Sequence, residues 1–306
     1  MNMTKYIAAL LLAALPSVPA MAQENTVNSE ARDLENPLFG QPGVQASVNS
    51  GYDWSSSTKF QGGRVGDSDA YNINIGVGAH ITLNDKWFVQ LSLMSDNFYL
   101  EQLSAAPIPD AINTLRLNAG LGYRLNDKWT ITALASPSFY RFDNVNGDDV
   151  GVAGSVMAAF RASPKLSLVF GIIGSPDSDA PVLPILGAHW RINDRYLVEL
   201  GVPRTRMSYY IEKNWAVYAG GNLNGTIFRA GDTLGTQIGQ SQYNNALGYY
   251  RDIRAGVGTS CEIIHGFRAE FEGGYSVYRD IDYTRVDTNV RFRPSPYVRL
   301  ALSYRF

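Results

Sequence analysis

The chain is poor in the groups that usually staple or activate a protein. One cysteine, Cys261, excludes an internal disulfide. An exported form must therefore be held by backbone hydrogen bonds and packing. Three histidines, His80, His189 and His265, leave little material for a histidine-based site. The formal net charge is only −2, with no basic stripe, which excludes the electrostatic footprint of a nucleic-acid binder. Beyond residue 22 no apolar run approaches the ~18 residues of a transmembrane helix, and no i, i+3, i+4, i+7 stripe stands out. If the chain enters a membrane, it cannot do so by helices. The remaining way to satisfy every backbone N–H and C=O in lipid is a closed β-barrel.

The first residues carry an order of their own. Lys5 is followed by the apolar run Ile7 to Leu15 and then by Ala20-Met21-Ala22. This charged, apolar, small-residue order predicts a secretory signal peptide over 1–22, cleaved after Ala22. The run is too short to span a bilayer, which takes ~20 residues, and no cysteine follows it as a lipoprotein signal requires. Residues 23–43 then form a polar leader containing Pro37 and Pro42, too short for a folded plug, and 44–306 the main body.

That body alternates with period two. From Tyr71 to Leu83 the odd positions are all apolar (Tyr71, Ile73, Ile75, Val77, Ala79, Ile81, Leu83), and the even positions are Asn72, Asn74, Gly76, Gly78, His80 and Thr82. Successive side chains of a strand point to opposite faces, so one face is apolar and the other polar or bare. The run exceeds the ~9–11 residues that a tilted strand needs to cross a membrane. Similar alternation covers 114–125, 150–160, 247–263 and 267–278. The segment Leu83-Asn84-Asp85-Lys86-Trp87 returns as Leu125-Asn126-Asp127-Lys128-Trp129 and as Ile192-Asn193-Asp194-Arg195-Tyr196, with a looser copy at Glu212-Lys213-Asn214-Trp215. Asn and Asp tolerate the left-handed backbone of tight hairpins. Each copy opens the next strand with an aromatic residue, so Trp87, Trp129, Tyr196 and Trp215 are candidates for an interfacial girdle, with Tyr304 and Phe306 at the other end of the chain. Short connections near 84, 126, 163, 193, 213 and 265 alternate with longer ones at 54–68, 101–111, 143–149, 175–182 and 230–243, the asymmetry of periplasmic turns and outer loops.

The final segment sets Val298, Leu300, Leu302, Tyr304 and Phe306 on one face and Arg299, Ala301, Ser303 and Arg305 on the other. This resembles the terminal signature of bacterial outer-membrane β-barrel proteins. The whole chain is similar to a barrel family of uncharacterised function. The resemblance implies an all-β, antiparallel up-and-down transmembrane barrel in the outer membrane of a Gram-negative-type bacterium. Membrane lipid and lipopolysaccharide would surround it, and the assembly machinery would recognise the C-terminal strand. Candidate strands number about fifteen, whereas a single-chain bacterial barrel has an even number. The expectation is therefore about fourteen strands, with twelve or sixteen as alternatives. Arg204–Ile211 and Arg285–Arg293 are the weakest assignments.

The candidate site residues lie on the polar phase: His80, Arg116, Arg124, His189, Asp252, Arg254, Arg268, Glu270, Glu272, Arg291 and Arg299. In a membrane barrel this phase faces the lumen. The charges either line a water-filled pore and select ions, or pair across neighbouring strands and fill the interior. Arg251 and Cys261 fall on the apolar phase. The acidic run 143–149 lacks calcium-loop spacing and reads as a turn around Asn146-Gly147. No catalytic constellation, cofactor or metal site is expected. The functional expectation is a passive channel or uptake barrel for small hydrophilic or amphiphilic solutes. A structural or surface-interaction barrel with a plugged lumen comes second, and a membrane enzyme third. No long loop is expected to fold inward, although Gly231–Asn244 could partly cover the mouth.

Overall fold

The computed structural model describes residues 42–141, 147–178 and 181–306. The expected cleavage site, nearly all of the leader and residues 143–146 of the acidic run lie outside them.

Along the chain run β1 (Gly43–Phe60), β2 (Gly63–Thr82), β3 (Trp87–Leu100), β4 (Ala111–Arg124), β5 (Trp129–Phe139), β6 (Val150–Ser163), β7 (Leu166–Gly174), β8 (Val182–Arg191), β9 (Tyr196–Leu200), β10 (Arg204–Glu212), β11 (Trp215–Arg229), β12 (Leu247–Ile264), β13 (Phe267–Tyr283), β14 (Thr288–Phe292) and β15 (Ser295–Arg305). Each pairs antiparallel with the next up to β13. β14 and β15 then lie end to end between β13 and β1. They are two halves of one strand, interrupted at Arg293-Pro294. Proline offers no N–H to a ladder and marks a bulge. The ring therefore closes as a fourteen-strand antiparallel barrel. Arg204–Glu212 is a true strand, and the surplus segment was the outer half of the last one.

Burial follows the alternation. Outward positions such as Ile75, Val257 and Leu186 are exposed (54%, 65% and 66%), and their neighbours face inward. The repeated turns work by a different device from the left-handed backbone expected. Asn84 Oδ1 accepts the N–H groups of Lys86 and Trp87, both at 2.9 Å. Asn126 and Asn193 do the same for Lys128 and Trp129, and for Arg195 and Tyr196. The asparagine thus caps the turn with its side chain and fixes the first N–H of the aromatic residue.

At the opposite end the strands are unequal. The expected connection at 54–68 is a hairpin: β1 and β2 run on and turn at Gln61 and Gly62, whose φ values of 49° and 82° fit a primed turn. By contrast, β9 has five residues and β10 nine. Two segments at this end fold inward: 101–110 against expectation, and 230–246 over the mouth that Gly231–Asn244 was expected at most to cover in part. Ala106 and Ile108 from 101–110, and Leu234 and Tyr243 from 230–246, join Phe60, Phe98, Ile112, Phe228, Tyr250, Ile281, Tyr283 and Phe292 in a buried apolar core. The helical turn α1 (Leu234–Gln237) lies in this cap.

Candidate functional site

Below the cap the lumen is polar, and its charges are paired. Arg254 donates to Asp252 at 2.6 Å and to Asp53 at 2.7 Å, while Ser276 donates to Asp252 at 2.6 Å. Arg279 lies 3.7 Å from Asp53 and donates to Ser56 at 2.9 Å. A second cluster follows toward the turn end. Glu199 receives Arg204 (3.1 Å) and Arg206 (2.7 Å). Glu270 receives Arg206 (3.4 Å) and Arg299 (3.0 Å), and Glu272 receives Arg299 (3.2 Å). Tyr297 joins the two clusters: its hydroxyl donates to Glu272 at 2.5 Å, and the Arg254 guanidinium lies 4.8 Å from its ring centre. Acids and arginines balance in each cluster, as removal of charge from water requires. A pocket beside the second cluster is lined by Gln45, Asn49, Asn74, Asp96, Arg204 and Glu270.

The expected lumen residues divide as follows. Asp252, Arg254, Glu270, Glu272 and Arg299 form the clusters. Arg116 is buried 3.6 Å from Asp96. His80 stacks on Phe88 at 4.8 Å near the turn end, with Arg124 5.6 Å from the same ring. Arg268 and His189 are buried on the inner face. Arg291 is the correction. It is exposed on the outer face, 5.4 Å from the Tyr278 ring centre. The break at Arg293-Pro294 inserts one residue, so Phe292 and Ser295 both point inward, and a one-residue slip sends every side chain beyond it to the other face. Sequence reading missed Asp53, Glu199, Arg204, Arg206 and Arg279. Their signal was complementarity, acids and arginines in equal number on one phase, and it emerges only once strand neighbours are known.

The aromatic candidates lie on the outer face at the turn end. Trp87 packs on Tyr123 at 4.6 Å, Trp129 on Phe160 at 4.6 Å, Tyr196 on Tyr209 at 5.1 Å, and Tyr304 on Phe306 at 4.6 Å. Trp215 Nε1 donates to Thr259 at 2.7 Å. Tyr52, Trp54, Tyr71 and Tyr99 form an outer-face group toward the cap end. From Trp87 to Tyr99 along β3 is about 30 Å of axial height at ~3.3 Å per residue and ~40° tilt, enough for the ~25 Å apolar band of a membrane barrel.

The wall is incomplete within this band. β8 pairs with β9 only over Ala188–Arg191, β9 stops at Leu200, and β10 starts at Arg204 opposite Asn222 of β11. Above the link Gly201-Val202-Pro203, no strand among the described residues separates Val182–Gly187 of β8 from Leu223–Arg229 of β11. On that side the Leu223 N–H reaches Pro203 and the Arg229 N–H reaches Tyr140. The floor of this notch stands about 13 Å above Tyr196, hence at membrane depth. A cavity there is lined by outward Leu186 and Leu200 and by Val202 of the link, together with inward His189, Glu199 and Arg204. Backbone left unpaired at this depth is tolerated where it lines a cavity.

The outer loops are tied together. Arg141 reaches Asp149 at 3.4 Å, Asn245 at 3.0 Å and Asp232, and Arg229 reaches Asp149 at 3.1 Å. Burial and the acceptor Asp177 (2.9 Å) hold the Tyr140 hydroxyl well above its ordinary range.

A closed antiparallel ring with an apolar outer belt, aromatic girdle and polar interior defines an outer-membrane β-barrel. The chain belongs to the family described as "Domain of unknown function (DUF6268)", whose model matches residues 44–306. No curated protein matches it. Among solved structures it is similar to the COG4313 outer membrane channel of Pseudomonas putida F1 (13% identity, 87% of this chain and 96% of that one, TM-score 0.45). It is also similar to the Pseudomonas putida toluene transporter TodX (11%, 96% and 95%, 0.45) and a Pseudomonas aeruginosa FadL homologue (12%, 95% and 95%, 0.44).

Proposed function

We propose that the protein is a passive uptake barrel for small amphiphilic solutes in the outer membrane of a Gram-negative-type bacterium. In this reading it is exported by a signal peptide cleaved after Ala22 and inserted by assembly machinery that reads the strand ending in Phe306. The carrying observation is the notch at membrane depth between β8 and β11. Apolar Leu186 and Leu200 stand at its outer side, and the polar His189, Glu199 and Arg204 lie behind them. This pairing of surfaces suits a molecule with an apolar body and a polar end. A purely hydrophilic solute fits less well, because the outer mouth is filled by the apolar cap and the acids and arginines of the two clusters are already paired with one another. The same pairing favours one second reading, a structural barrel with a plugged lumen.

The test uses the refolded full chain in lipid vesicles with a fluorescent short-chain amphiphile. Saturable binding, and entry faster than into protein-free vesicles, are expected. No saturable binding, no accelerated entry and no conductance in a planar bilayer would leave the plugged structural barrel.

A further inference from the structure

On the outer face, beyond the cap-end aromatic group, three basic residues stand abreast. Lys59 of β1 lies directly opposite Arg291 of β14 on one side and Arg64 of β2 on the other. Arg293 follows two positions after Arg291 on the same exposed face, its N–H bonded to Ser57 at 2.9 Å. Like charges directly opposite on a sheet destabilise it unless something compensates. The neighbouring acids are already engaged. Asp67 holds Arg64 at 2.8 Å. Asp280 and Asp282 hold Arg251 at 2.7 and 2.8 Å. Asp280 is also opposite Arg291 in register, yet it forms no ion pair with that residue. Among the described residues, Lys59, Arg291 and Arg293 have no carboxylate within ion-pair distance. Arg291 is held over the Tyr278 ring at 5.4 Å, so part of its ordering cost is met before any ligand arrives.

Height fixes the kind of anion. Arg293 sits beside Ser57 and Lys59 a turn of the pleat higher, about 8 and 13 Å above Trp54. Long basic side chains reach back toward the interface, so the patch stands where headgroup phosphates lie. We propose that Lys59, Arg291 and Arg293 form a docking site for the phosphate of an anionic glycolipid of the outer leaflet. Arginine is suited to hold such a group bidentately, with lysine adding a point charge. The anion would relieve the opposition of Lys59 and Arg291 and fix the tall β1–β2 hairpin at the membrane surface. This proposal does not depend on the uptake reading.

The test titrates the folded full chain in detergent with diphosphoryl lipid A and reads bound lipid by native mass spectrometry. The triple variant Lys59→Gln, Arg291→Gln, Arg293→Gln is expected to bind at least tenfold more weakly while keeping heat-modifiable migration. Dephosphorylated lipid A is expected to bind the wild type as weakly as the triple variant binds the phosphorylated form. Unchanged affinity in the folded triple variant would overturn the proposal. So would equal binding of phosphatidylglycerol and lipid A, which would mean general adhesion to anionic lipid. If the triple variant fails to fold, the exposed single change Lys59→Gln carries the same test, with about a threefold loss expected and no loss contradicting the proposal.

Discussion

Thr114 on β4 and Thr226 on β11 meet hydroxyl to hydroxyl at 3.0 Å, although their strands are not neighbours in the ring. The contact crosses the lumen. Just above it, the Arg229 N–H reaches the Tyr140 carbonyl at 3.2 Å. The barrel is thus pinched toward its outer end. The strands β5 to β10, with their short β9, form an arc to one side of the pinch, and the notch opens in that arc.

Both hydroxyls are buried, so the pair is a measurable support of the pinch. In a double-mutant cycle of Thr114→Val and Thr226→Val, the coupling energy is expected near ~1 kcal/mol. Urea unfolding of the folded barrel in lipid reads it. Strict additivity would mean that the two strands are held together by other contacts.

Arg254 serves Asp53 and Asp252 together, and all three side chains are buried. Replacing it by methionine leaves Asp252 without its arginine and Asp53 with only the more distant Arg279 at 3.7 Å. A loss of about 3–5 kcal/mol is expected in the same unfolding assay, because removing one partner strands the others in a low dielectric. A loss below about 1 kcal/mol would mean that water reaches and screens this part of the lumen.

The phase change at Arg293-Pro294 puts Arg291 on the outer face and Phe292 on the inner one. In a Cys261→Ser background, Arg291→Cys is expected to react with a membrane-impermeant maleimide on intact cells at least tenfold faster than Phe292→Cys. Faster reaction of Phe292→Cys would mean that the period runs unbroken through Pro294, and would remove the bulge.

The girdle predicts depth. With brominated lipids, Trp87 and Trp129 are expected to be quenched most by bromines near the headgroup and least by bromines at the bilayer centre. Strongest quenching at the centre would move the apolar band away from the repeated turns.

Much of the architecture was readable because the membrane enforces it. Between Tyr71 and Leu83 one face must be apolar and the other must not, so the strand writes itself as alternation. The repeated Asn-Asp turns were equally plain, although their device, Asn84 capping Lys86 and Trp87, was not. Reading failed where that constraint ends. Past Trp54, residues 55–68 stand beyond the aromatic group, where both faces of the β1–β2 hairpin tolerate Ser, Thr and Gly, so no alternation marks them as strand. Arg291 was misplaced because the period was carried across Pro294. The ion clusters were half visible: Asp252, Arg254 and Glu270 lay on a legible face, but their partners Asp53, Glu199 and Arg206 come from strands far away in sequence.

The notch above Gly201-Val202-Pro203 is the proposed way through the wall. Leu186→Trp with Leu200→Trp would fill it from the lipid side and leave the ion clusters untouched. Entry of a fluorescent short-chain amphiphile into vesicles carrying this folded variant should slow at least tenfold relative to wild type. An unchanged rate would contradict passage through the wall.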